Sequence, residues 1–171
     1  MAYDDKIIFG QRLRTLTDKM NLPCTPFNNI DVINGIDRCR RWDKYSEMFR
    51  SQRIAYLRSH NLGEKVFVHG DLCSDNILVS HGGKIYLIDF ADAVLAPKVY
   101  EYALVAVELF KLDKALLRGY FGNYTKEELA EICFNGLLMH EYGSDIINFQ
   151  IDKFENIRNL NKFKLKLLKV I

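Results

Sequence analysis

The sequence predicts a mostly helical α+β fold built around a small antiparallel β-hairpin. Apolar residues recur at helical spacing along much of the chain, short apolar runs between residues 66 and 88 are strand-like, and Ser80-His81-Gly82-Gly83 supplies a turn between the last two. With 171 residues, 49% of them hydrophobic, the chain is long enough to bury about 70% of its unfolded surface as one domain.

In chain order, the first helix is expected over about residues 4–20, where Phe9, Leu13, Leu16 and Met20 share a face. Pro23 and Pro26 then mark a loop over residues 21–30. A second helix is expected over about 37–60, with Trp42, Tyr45, Phe49 and Tyr56 on one side, and Asn61 and Gly63 ending it. That aromatic stripe reads as core, because charged residues occupy the opposite side. Strands are expected at 66–68, 76–79 and 84–88. Pro97 precedes an apolar helix over about 99–112, too short to cross a bilayer. Thr125-Lys126-Glu127-Glu128 has the form of a capping box and starts a helix over about 125–141. On its inner face His140 reads as a half-buried structural histidine. A lysine-rich amphipathic helix over about 151–169, with Phe154, Ile157, Leu160, Phe163 and Leu167 inside, closes the chain and reads as packed rather than membrane-bound.

A net charge of +2 and a pI near 8.3 are too mild to indicate a nucleic-acid or membrane partner. Cys24, Cys39, Cys73 and Cys133 show no C-x-x-C pairing and no export signal precedes them, so reduced thiols and a cytoplasmic location are expected.

The chemistry is concentrated between Val66 and Ala93. Closing the hairpin near His81 and Gly82 brings Asn76 opposite the end of the strand that leads into Asp89, while Asp71 lies in a loop entered through His69-Gly70. Magnesium takes hard oxygen ligands and keeps several waters, so one amide oxygen and one carboxylate suffice when triphosphate oxygens complete its shell. A further carboxylate, held off the metal, can orient a hydroxyl and accept its proton. Asp71 suits that catalytic role, with Asn76 and Asp89 as metal- and nucleotide-binding residues. Asp75 reads as a loop cap and Asp92 as a supporting acid. A zinc site from His69, Cys73 and His81 matches no common ligand spacing, and the nearby oxygen set accounts better for the loop.

His69-Gly70-Asp71, then Asn76, then Ile88-Asp89-Phe90 resembles the catalytic loop and metal motif of the aminoglycoside phosphotransferase and choline kinase superfamily, relatives of the protein kinases. The resemblance implies that Asp71 is catalytic, that Asn76 binds metal, that Asp89 binds the magnesium of ATP or another nucleoside triphosphate, and that His69 organises the loop. Glycine between the histidine and the aspartate resembles the small-molecule kinases more than typical protein kinases, which carry arginine there. Residues 7–16, Ile-Ile-Phe-Gly-Gln-Arg-Leu-Arg-Thr-Leu, resemble the first helix of the family's C-terminal lobe.

The strands, phosphate-covering loop and lysine of the family's N-terminal lobe are not legible, so the chain is expected to be a kinase-like C-lobe whose N-lobe is missing. The chain would then be a truncated gene product, a fragment, or the partner of an N-lobe on another chain, or its exposed face would be met in a homo-oligomer. By the same analogy Asp31, Asp37, Glu141 and Asp145 are candidates to meet a cationic small-molecule hydroxyl acceptor. Glu101-Tyr102-Ala103 departs from the family's usual aspartate ahead of Leu-Ala. Two rival readings are a non-catalytic scaffold and an atypical protein kinase.

Overall fold

Helix α1 (Tyr3–Met20) opens the computed structural model, which describes residues 1–33 and 40–171. It buries Leu13 and Thr17 and packs along α4 (Lys114–Phe121), an element that the sequence reading missed. Thr17 Oγ1 and Tyr120 Oη, 2.8 Å apart, join the two helices inside the core. Asp113 starts α4 by accepting from the N–H groups of Ala115 and Leu116, which relieves two of the unpaired donors at a helix start.

The expected helix over 37–60 is a shorter object. Residues 34–39 lie outside the described region, and with them the start of that helix, Asp37 and Cys39. Among the described residues, a 3-10 turn at Arg40–Trp42 precedes α2 (Glu47–Ser59). Ser46 causes the break, because its Oγ accepts from Phe49 N–H at 3.2 Å and caps a new helix instead of continuing an old one. The aromatic stripe is core: Trp42, Tyr45 and Phe49 are buried and stacked on one another. Burying a side chain such as Phe49 contributes roughly 2–3 kcal/mol.

Strand β1 (Lys65–Val68) pairs antiparallel with β4 (Val94–Pro97), which the sequence reading also missed. The hairpin is a separate sheet of β2 (Ile77–Val79) and β3 (Ile85–Leu87), with Leu78 opposite Tyr86. Helix α3 (Val99–Leu104) follows β4 and widens into a π-helical turn at Val105–Leu109. The expected 99–112 helix therefore ends early, with Lys111 and Leu112 in left-handed backbone that turns the chain into α4. Helix α5 (Lys126–Met139) begins at the expected capping box: Thr125 Oγ1 accepts from Glu128 N–H at 3.1 Å, and Glu128 Oε2 accepts from Thr125 N–H at 2.7 Å. It lies tight against α3, since a Cβ on Gly136 would stand 2.0 Å from the Val99 carbonyl oxygen. That contact sets the depth of α3, and α3 carries Glu101.

A one-turn helix α6 (Gly143–Ile146) runs into a second π-helical turn at Ile147–Ile151. The final helix expected over 151–169 is α7 (Leu160–Val170) alone. Asp152 is extended and accepts from Lys153 N–H and the Asn156 amide, both at 2.8 Å, and Asn159 then caps α7 through Lys162 N–H at 2.9 Å. Short polar side chains offering the backbone these alternatives stop the helix from starting sooner. On the lysine-rich face Lys164 pairs with Glu131 and Lys166 with Asp152. Among the described residues no helix is long and apolar enough to cross a membrane. The architecture is thus mostly helical α+β, with seven α-helices and two small antiparallel sheets among the described residues.

Candidate active site

The loop after β1 and the open end of the hairpin meet at one place. His69 Nε2–H donates to the Ile88 carbonyl at 2.9 Å, while its Nδ1 accepts from Asp71 N–H at 3.4 Å. One buried imidazole in one tautomer therefore ties the residue before Asp89 to the backbone of Asp71. Phe90 packs on the same ring, with centroids 4.6 Å apart. From the other side, Ile88 N–H donates to the Asn76 carbonyl at 3.1 Å. Asn76, ending a 3-10 turn at Ser74–Asn76, donates through Nδ2 to the Asp71 carbonyl at 2.8 Å and to Asp71 Oδ2 at 2.9 Å.

With both amide hydrogens directed at Asp71, Asn76 Oδ1 accepts no hydrogen bond among the described residues. Among the described residues the exposed Asp89 carboxylate accepts only a long contact, 3.4 Å from Ala91 N–H. Asp89 also sits at φ 58, left-handed backbone that an aspartate tolerates better than most residues but still at a cost. These two hard oxygens suit a magnesium ion that brings phosphate oxygens and water of its own. No group of three His, Cys, Asp or Glu side chains forms a cation site among the described residues.

Gly70, between His69 and Asp71, has φ 84, and a Cβ there would lie 2.0 Å from the Asp92 carbonyl oxygen. The Asp92 backbone thus packs close against the loop at Gly70, while its side chain is exposed. Asp75 is exposed in the loop.

Three buried residues hold this loop that the sequence reading did not place in the site. Glu101 accepts from His69 N–H at 2.5 Å and from the Asn21 amide at 2.9 Å, and Gly70 N–H points to it as well. Asn21 in turn donates to the Phe67 carbonyl at 2.9 Å. Burial pushes the Glu101 carboxyl up to about 7, against the pull of those three donors. The departure at Glu101-Tyr102-Ala103 therefore does not cost the loop its support: glutamate itself reaches it. His140, fully buried rather than half-buried, donates from Nε2 to the Gly70 carbonyl at 3.0 Å and accepts Tyr142 N–H at Nδ1 at 3.1 Å. Burial lowers it to about 4, so it is neutral and a fixed donor at neutral pH. A Glu–Tyr–Ala triplet just after an apolar strand and the buried polar Asn21 behind the first helix were the available signals.

Beside Asp71 opens a cleft of about 510 Å³. The two π-helical turns face each other across it, Gln150 of one reaching Glu108 of the other at 3.4 Å. Wide turns of this kind recur at functional sites. Asp145 lines the cleft, whereas Asp31 and Glu141 do not, and Asp31 pairs with Lys65.

No curated protein and no solved structure matches the chain. A family model described as APH, phosphotransferase enzyme family, matches residues 34–132, which include the whole loop and hairpin.

Proposed function

The chain belongs to the phosphotransferase enzyme family, and from that premise we propose that it carries the acceptor and metal side of a kinase acting on a small-molecule hydroxyl. The observation behind this reading is the direct Asp71–Asn76 contact, bound through His69 and Ile88 to the backbone beside Asp89. Asp71 orients the acceptor hydroxyl and takes its proton as the terminal phosphoryl group of a nucleoside triphosphate is transferred. Asn76 holds Asp71 in place through Nδ2, and its Oδ1 together with the Asp89 carboxylate would hold a magnesium ion. When bound, that ion would offset the charge of the phosphates. His69 keeps the loop and the hairpin end in register.

The nucleoside would lie on the hairpin face where Leu78, Tyr86 and Ile88 are exposed together. In this reading the described residues act as a C-lobe. A nucleotide-covering lobe would shelter that face together with Phe27, Val79 and Phe90, all exposed here. A cytoplasmic setting fits the free thiols of Cys24, Cys73 and Cys133.

Calorimetric titration with ATP in the presence and absence of magnesium tests the reading. Magnesium-dependent heat, weakened by Asp89→Asn, is the expected result. Heat that ignores magnesium, or none at all, would leave a non-catalytic scaffold.

A further inference from the structure

The cleft beside Asp71 is lined by carboxylates that already have cations. Glu108 pairs with Lys111 at 2.9 Å. Asp145 pairs with both Lys44 and Arg41, the latter at 3.4 Å, so with Lys111 three cations stand against Glu108, Asp145 and Asp71 and the wall carries no net negative charge. Single surface pairs like these are weak, but their effect on local charge does not depend on their strength. The aromatic rings that could cage an ammonium group are occupied too: the Arg41 guanidinium sits 4.2 Å over Tyr142 and Lys153 Nζ 5.5 Å over Phe149. His140 has both ring nitrogens bonded and adds no charge. Between these groups the wall is apolar, lined by Leu104 and Ile146, with Phe149, 72% exposed, at its rim and covered by Lys153 on one face only. A ring with that much surface in water gains most by covering it with something apolar.

Resting on the phosphotransferase reading of Asp71, we infer that the acceptor is an alcohol on an uncharged, largely apolar framework, seated between Ile146 and Phe149 with its hydroxyl at Asp71. A cationic acceptor would find the acids of this cleft neutralised, apart from Asp71 itself, and would approach Arg41, Lys44 and Lys153.

Cys73, on the cleft wall, allows occupancy to be read without turnover. Iodoacetamide labelling would be followed residue by residue by mass spectrometry, with exposed Cys24 as the rate reference and buried Cys133 as the sign of an intact fold. Naphthalenemethanol should slow Cys73 labelling several-fold and leave Cys24 unchanged, and Phe149→Ala should abolish the protection while Cys133 stays unreactive. Choline and kanamycin should give no protection. Protection by either cation equal to that by the neutral alcohol, or no protection by the alcohol, overturns the inference. Because labelling requires no phosphoryl transfer, protection without magnesium-dependent nucleotide binding would sink the enzymatic reading and leave the cleft's preference standing.

Discussion

The Asp71 loop and the hairpin beside it are built in opposite ways. The loop is held from beneath by Glu101, Asn21 and His140, all buried, and its peptide groups at His69 and Gly70 are bonded on both sides. The hairpin turns Leu78, Tyr86 and Ile88 to solvent. One region spends burial and hydrogen bonds to keep Asp71 in a single position, whereas the other keeps apolar surface uncovered beside Asn76 and Asp89. The contrast locates stability and recognition in different places: changes under the loop should unfold the protein, and changes on the hairpin face should alter only what it binds.

The largest effect should come at the loop's tip. Asp71→Ala in an active assembly should lower turnover about 100- to 10,000-fold with an unchanged melting temperature, measured by a coupled nucleotide assay beside thermal denaturation. Equal rates for variant and parent would remove Asp71 from the chemistry. Beneath it, Glu101→Ala leaves the His69, Gly70 and Asn21 donors facing a cavity and should cost about 2–4 kcal/mol in urea denaturation. A loss no greater than that of a surface substitution would mean the loop is held elsewhere.

Two groups under the loop should also give opposite pH dependences. Glu101 is raised in the folded state to about 7 from 4.5, so the folded protein binds the extra proton between those values, and its contribution is full below 4.5 and lost as pH rises through about 7. His140 is lowered to about 4 from 6.5, so its contribution is present above 6.5 and lost as pH falls through about 4. Each amounts to at most about 3 kcal/mol, and they oppose each other over most of the same window. The parent should therefore show a shallow urea-midpoint profile from pH 4.5 to 6.5. Glu101→Gln should expose a rise with pH and His140→Gln a fall. Parallel profiles in the two variants would contradict the assignment.

Smaller effects belong to the hairpin side. Asp89→Gly should relieve the left-handed backbone at φ 58 and stabilise the fold by about 0.5–1 kcal/mol, while weakening magnesium-nucleotide binding in the calorimeter. Smallest in stability should be Leu78→Ser or Tyr86→Ser, within about 0.5 kcal/mol, with nucleotide affinity reduced. A hairpin variant that unfolds the protein as readily as Glu101→Ala would erase the distinction between the two regions.

Much of the site could be read in the chain because its parts are local. Asp71 and Asn76 are five residues apart, and the turn at Ser80–Gly83 returns the strand that leads to Asp89, which leaves Leu78 opposite Tyr86. The capping box at Thr125 was legible for the same reason. Helix ends at Ser46 and Asn159 were harder, since whether such a residue caps or continues a helix depends on what the neighbouring turn packs against. Strand β4 and helix α4 lay in apolar stretches whose partners, β1 and α1, are far away in sequence.

By itself, then, the sequence determined the order and spacing of Asp71, Asn76 and Asp89, because short-range turn and strand chemistry brings them together. Tertiary structure alone decided what stands behind and beside them: Glu101 and Asn21 meet across 80 residues, Gly70 and His140 across 70, and Asp145 meets Lys44 across 101. Those contacts form only when the core has closed, since burial is what makes a carboxylate, an amide and an imidazole seek each other and what sets their charge.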